Sequence, residues 1–525
     1  MKRKSICAVV LICIVFAGGL YCFITGSIEN QKKKEIKQLE ESKSSIQYNI
    51  DSNYIYRLYG DMSDIEFDSE DGRYISLKDF NGKNIIFTYW DSEFEDSKAQ
   101  VSHAEHLVKE ALNYDDIRYI LIHRSDDNNP QIKEKAIKYL KENNINVEIL
   151  FDKNMSMHYK LGLKSVPATL SVDKNGCLIY LKEGMMTDDN LFRGVIDKTR
   201  NSASLITEKF VYNNMTNLEG GVNITLNNNL DDSDIVLSES QGIMIEYADI
   251  KGDEELFNTT LSYINKYMKN DRLISWKVED GKASRVNAAI DDLRVYDALY
   301  DGMEKFGVKE KELKSYSRSI YKYNVDNNNL VDCYDFENNS KSHRLTLCYG
   351  DFKALGKLWA ENWRFKNVYY NTLEIVKNGY INDEFPLYYS WYNYESSRYE
   401  KDDLNTSEAL VTILHLSEVG EVKSETINWL KEQVNKGTLY GRYSIDGKVS
   451  EGYEYESTAA YALAALIGKE TGDDELIHNA VLKMEKMRID DAGSQYYGAF
   501  GNPDGSGIYS FDQCMALLSY AELER

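Results

Sequence analysis

Apolar and polar residues follow three different rhythms along this chain. Near the N-terminus, Lys2, Arg3 and Lys4 precede an apolar run from Ile6 to about Ile24 that no charge interrupts, long enough to span a bilayer. Between Tyr56 and Asn201, β-branched and aromatic runs alternate with helical spacing. Asn84–Trp90, Ile117–His123 and Val147–Asp152 read as strands, and the stretches around His103–Leu112 and Gln131–Asn143 as helices. This alternation predicts an α/β sheet domain. From Leu230 onward nearly everything repeats at three and four residues, with helix starts near Ser240, Asp253, Ala288, Lys309, Asn362, Thr406, Ser424, Ser457, Asp473 and Ser510. Ser457–Gly468 is small and apolar on every face, as expected of a buried inner helix. Asp473–Met487 is amphipathic, as expected of its outer partner.

Ten helix starts leave room for two more, a count that suits an (α/α)6 toroid. The expected organisation is multidomain: a transmembrane signal anchor at 1–27, a charged stalk or flexible linker at 28–55, an α/β domain at 56–201 and an all-α toroid at 202–525. Cations at the extreme N-terminus favour a cytoplasmic start and an exported remainder, although Lys32, Lys33 and Lys34 blunt the asymmetry. Cleavage of a signal peptide is the alternative, because Ala17, Gly18 and Gly19 supply small residues near the end of the apolar core. Cys22 follows Tyr21 rather than a small residue, which argues against lipoprotein processing there.

Composition narrows the function classes. The chain has 525 residues, of which 42% are hydrophobic, enough for real cores, and only four prolines to interrupt helices. A net charge of -23 argues against a nucleic-acid partner, since phosphate binding needs a cationic surface. Forty tyrosines, 17 phenylalanines and six tryptophans offer rings that can stack on sugar faces, although most rings belong to cores by default. The seven cysteines and seven histidines are read as offering no metal-ligand spacing and no close histidine pair, so neither a metal site nor a cofactor is expected. Cys333 and Cys348 are either a disulfide or two isolated thiols, and His415 reads as a satisfied core histidine.

Two acidic helix starts carry the candidate chemistry. In Ser238-Glu239-Ser240-Gln241-Gly242, a carboxylate stands ahead of a buried helix, where free backbone donors steady a charge. A second acidic start follows in Ala288–Leu299, with one intervening helix, so both carboxylates fall on the same rim. With Gly252–Phe257 and the Trp276 segment, these motifs resemble glycoside hydrolase family 8 over roughly Leu230 to Arg525. The resemblance implies an (α/α)6 toroid and an inverting, endo-acting hydrolase of β-1,4-linked polysaccharide. It places the general acid at Glu239. The family's second signature, anchored on Asp292, Leu293 and Val295, puts Ile290 where an active-site Asp belongs, unless one residue is deleted and Asp291 fills the role. Asp291 is the residue expected to do so. Asp292, turned about 100° away, is expected to cap the helix, pair with Arg294 or touch substrate. The base matches Glu408, with Asp512 as competitor. Trp276, Trp391 and Tyr392 are the expected sugar contacts, although the aromatic run at 385–394 also reads as a hydrophobic plug.

The α/β domain, with Leu161–Gly184, resembles the thioredoxin-like fold of membrane-tethered thiol oxidoreductases and peroxiredoxins, which implies a cis peptide at Pro167. Redox chemistry needs a thiolate and a resolving partner after the first long strand. Counted from Trp90, Phe94 and Ser97 occupy those places, so a redox-inactive spacer or binding domain is expected. Two rival functions stay open: a non-catalytic polysaccharide-binding protein, and an envelope adaptor built on this domain.

Overall fold

In the computed structural model, residues 65–523 are described, apart from 81, 112–113, 126–130, 175–177, 202 and 227–233. The expected membrane segment and stalk lie outside these residues. Among the described residues no helix is long and apolar enough to cross a membrane. The chain divides into two compact units. One runs to Lys209 and takes in Arg488–Gly498 from late in the sequence; the other comprises Phe210–Met487 and the residues from Ala499.

The first unit is built around Asn84–Trp90, a strand buried on both faces, which is why it is apolar but for Asn84 and Thr88. Strands β1 (Glu66–Ser69), β2 (Tyr74–Ser76), β3 (Asn84–Trp90), β4 (Ile117–Arg124), β5 (Ile149–Asp152), β6 (Ala168–Val172) and β7 (Leu178–Glu183) form one sheet in the order β2-β1-β5-β4-β3-β6-β7. β3, β4 and β5 run parallel, and every other pair is antiparallel. Phe67, Phe87 and Tyr89 pack on one face, and Ile86, Trp90 and Leu121 on the other, beneath helices α1 (Glu95–Ala111), α2 (Gln131–Glu142) and α3 (Asp189–Arg200). The Val166–Pro167 peptide is cis, as expected. Arg488–Gly498 is tied to this unit by Lys198 with Asp490 at 2.9 Å and by Arg488 donating to Thr207 Oγ1 at 2.6 Å.

The second unit is helical. Its inner helices are α4 (Ser238–Lys251), α6 (Ala289–Lys305), α8 (Phe352–Glu361), α10 (Thr406–Ser417), α12 (Thr458–Thr471) and α14 (Ser510–Leu523), and each packs on the next, with α14 closing back on α4. Between them run α5 (Glu254–Tyr263), α7 (Glu310–Asn324), α9 (Phe365–Asn378), α11 (Ser424–Lys436) and α13 (Asp474–Glu485). Burial matches the expected division of labour: Thr458–Gly468 in α12 is buried on every face, whereas α7 buries one stripe. Side-chain caps open several of these helices, including Asp253 on Leu256, Asp351 on Ala354 and Ser457 on Ala460. Cys333, Cys348 and Cys514 are buried and form no disulfide, so the disulfide option for Cys333 and Cys348 falls away.

Candidate active site

Because the inner helices begin at one end of the ring, their first turns converge. A cavity of about 180 Å³ opens there, lined by Glu239 from α4, Ile290, Asp291 and Arg294 from α6, Glu408 from α10 and Asp512 from α14, with Trp276 on its wall. Four carboxylates and one guanidinium therefore share one space. Each acid sits in the first turn of its helix, where unpaired backbone donors favour negative charge.

Trp276 reaches the site through a short sheet. Strand β8 (Ile235–Leu237) pairs with β9 (Lys277–Glu279), and the Ser238 N–H donates to the Trp276 carbonyl at 3.0 Å. Ser238 Oγ also donates to Asp291 Oδ2, joining the two motifs. Burial pushes the Asp291 carboxyl up, against the opposing pull of Arg294 and Ser238. Arg294 is itself buried, which disfavours its charge. The surrounding carboxylates, Asp291 and Glu239 first among them, more than offset this and hold its pKa above the ordinary value. At Gly242 the α4 backbone runs alongside the Arg294 stem, where an added Cβ would lie in ordinary contact, 3.5 Å from the arginine's Cβ. Ser240 and Ser510 share a 2.7 Å hydrogen bond that joins α4 to α14.

The two competing bases are held differently. Glu408 follows Asn405, whose side chain caps its amide at 3.2 Å, and stands half-buried at the cavity wall. Asp512 is buried and accepts from the Ala459 N–H at 2.8 Å, which orients one of its oxygens into the protein.

The remaining sequence expectations separate. Asp292 does not line the cavity, does not cap its own helix and does not pair with Arg294. It is fully buried and accepts from the Ile274 N–H at 3.0 Å, Tyr316 at 2.6 Å and Asn287 at 2.6 Å, and burial pushes its carboxyl up to about 7. Trp391 and Tyr392 are also absent from the cavity wall. They lie on strand β11 (Trp391–Asn393), paired with β10 (Arg344–Thr346) and β12 (Arg398–Tyr399). There the Trp391 indole donates to Asp402 at 2.9 Å beneath Arg344, and Tyr392 packs against Tyr394 and Tyr399. Sequence reasoning named Arg294 only as a partner for Asp292 and passed over Tyr349, Tyr440, Tyr455 and Tyr509; all five line the cavity. Arg294 alone left a signal, being three residues from Asp291 and so on its face of the helix.

Of the groups that could hold a cation, Asp351, His415 and Glu418 approach one another within 4.8 Å. Lys353 already stands 3.0 Å from Glu418 and supplies positive charge there. His415 is buried as expected and hydrogen-bonds the Cys348 backbone, while its Nδ1 has no hydrogen-bond partner. Burial lowers its pKa to about 4.

No protein-family model matches this chain. Over 326 residues it is 29% identical to "Putative lipoprotein YdaJ" of Bacillus subtilis (strain 168), a match covering 60% of this chain and 86% of that protein. An α-amylase from Clostridium perfringens superposes with a TM-score of 0.57 at 28% identity, over 61% of this chain and 97% of the amylase. PssZ from Listeria monocytogenes superposes with a TM-score of 0.50 at 22% identity, over 62% of this chain and 96% of PssZ, and shares the fold. The chain is therefore similar, through most of the length of each of these proteins, to one named as a lipoprotein and one named as a glycosidase.

Proposed function

We propose that the helical unit is an inverting, endo-acting glycoside hydrolase of family 8 type that cleaves a β-linked polysaccharide. The observation that carries this reading is the convergence of Glu239, Asp291, Glu408 and Asp512 on one cavity beside Trp276. Hydrolysis needs a proton donor on one side of the glycosidic oxygen and an activated water on the other face of the sugar. Glu239 gives its proton to the leaving oxygen as the bond to the anomeric carbon breaks. Water attacks that carbon and passes a proton to Glu408. Asp291, with Arg294, positions the sugar and the water, and the Trp276 ring supports a sugar face. Sequence motifs support the β linkage, while the amylase likeness makes an α-glucan the first alternative to test.

Ile290 on the cavity wall favours a second reading. If the family's Asp is lost rather than displaced to Asp291, the unit binds polysaccharide without cutting it. The α/β unit is proposed as a thioredoxin-like spacer without thiol chemistry, supported by its strand order, its cis Pro167, an exposed Phe94 and a buried Ser97. Anchoring of an exported protein through the N-terminal apolar segment completes the proposal. The similarity to a protein named as a lipoprotein is consistent with an envelope location.

Reducing-end release from β-glucans, xylan, chitosan, starch and the host's own matrix polymer tests the function. The chain should start near Tyr56, because a fragment from Ser202 would strand Arg488–Gly498 without its own unit. Release that disappears in Glu239→Gln establishes the hydrolase. Binding without release, equal in both proteins, establishes the second reading.

A further inference from the structure

Helix α1 carries His103 and His106 one turn apart, so both imidazoles leave the same face. Asp189 opens α3 against them. Its carboxylate presents Oδ1 to His103 Nε2 at 3.6 Å and Oδ2 to His106 Nε2 at 2.8 Å, and the imidazole rings lie 5.2 Å apart. Three donor atoms from two helices thus fall within 4.8 Å of one another. The expectation of no close histidine pair passed over the three-residue spacing of His103 and His106; Asp189, 83 residues beyond His106, is the ligand that no spacing motif reveals.

We propose that His103, His106 and Asp189 bind a divalent transition-metal ion of the zinc type, tying α1 to α3 with a coordination position left to solvent. Two imidazoles and one carboxylate are a ligand set suited to zinc, and three protein ligands leave a fourth tetrahedral position open. At bond lengths of about 2.0–2.2 Å, a tetrahedral ion separates its ligand atoms by roughly 3.3 Å. The carboxylate's two oxygens stand 2.8 Å from His106 Nε2 and 3.6 Å from His103 Nε2, on either side of that separation, and one donor atom from each residue falls within 4.8 Å of the others. Asp189 is available for the role because its neighbour Asp188 performs the capping, accepting from the Asn190 and Leu191 amides. His103 Nε2 has no hydrogen-bond partner although the atom is shielded from solvent, which an ion would remedy. His106 and Asp189 are exposed enough for the ion to load without unfolding.

The test is Zn²⁺ titration of chelator-stripped, tag-free chain by calorimetry, with Co²⁺ absorption reporting geometry. One equivalent should bind, give a tetrahedral Co²⁺ spectrum and raise the thermal midpoint. His103→Ala and Asp189→Asn should each weaken binding by about tenfold or more while leaving the metal-free midpoint and circular dichroism unchanged. Absence of binding, binding unchanged in both variants, or binding lost instead in His415→Ala would overturn the proposal.

Discussion

Arg294 and Asp291 face each other across 3.6 Å without a hydrogen bond between them. Arg294 Nη1 and Asp291 Oδ1 are both shielded, both belong to residues lining the cavity, and neither has a hydrogen-bond partner. A gap of this size between opposite charges is a place where a substrate hydroxyl or water can bridge.

Removing the arginine leaves several buried carboxylates uncompensated. Arg294→Met should lower stability by about 3 kcal/mol, measured by urea unfolding. Adding Asp291→Asn should recover part of the loss, because one of the stranded charges is then gone. Equal stability in Arg294→Met and wild type would show that the guanidinium is not holding these acids.

The carboxylates should separate by kinetics. Glu239→Gln and Glu408→Gln should each lower kcat by about 10²–10⁴-fold with the fold intact. Asp512→Asn should cost far less, since one of its oxygens already serves the Ala459 amide. The reverse ranking of Glu408 and Asp512 would move the base to α14.

The tryptophans provide a contrast. Trp276→Ala should raise KM about tenfold, equivalent to ~1.4 kcal/mol, because the ring lines the cavity. Trp391→Ala should leave KM unchanged, its indole being committed to Asp402. A KM effect at Trp391 alone would place the sugar contacts on β11 instead.

Buried acids set a pH trend in stability. Burial raises Glu246 and Glu418 to about 8 and Asp292 to about 7. A carboxyl whose pKa is higher folded than unfolded keeps its proton in the native state, so stability falls as pH rises between the two values. His123 and His415, lowered to about 4 by burial, act oppositely, but only below their unfolded value of 6.5. Between pH 6.5 and 8 the carboxyls therefore act without opposition from these histidines. The thermal midpoint of the helical unit should fall across that window, and Glu246→Gln should flatten the slope.

Local chemistry was legible in the sequence. Strand β3 lies where its apolar run placed it, and α4, α6, α10 and α14 begin within two residues of their expected starts, because caps and periodicity are short-range signals. Helix α8 was missed: it is short, and Gly356 interrupts its rhythm. The acids at 239, 291, 408 and 512 could be named from motifs, but their meeting required α14 to close on α4, a contact between residues 270 apart in sequence.

By itself the sequence determined which segments are helix or strand, which faces are buried and which acids open inner helices, since each depends on residues a few positions apart. Only the tertiary structure decided which of those acids share a cavity. It turned Asp292 inward to Ile274, Tyr316 and Asn287 while its neighbour Asp291 lined the cavity, through the rotation of about 100° between adjacent helical residues. It committed Trp391 to Asp402 and Arg344, and it brought Asp189 to His103 and His106. Such pairings depend on how whole elements pack, and no local spacing encodes them.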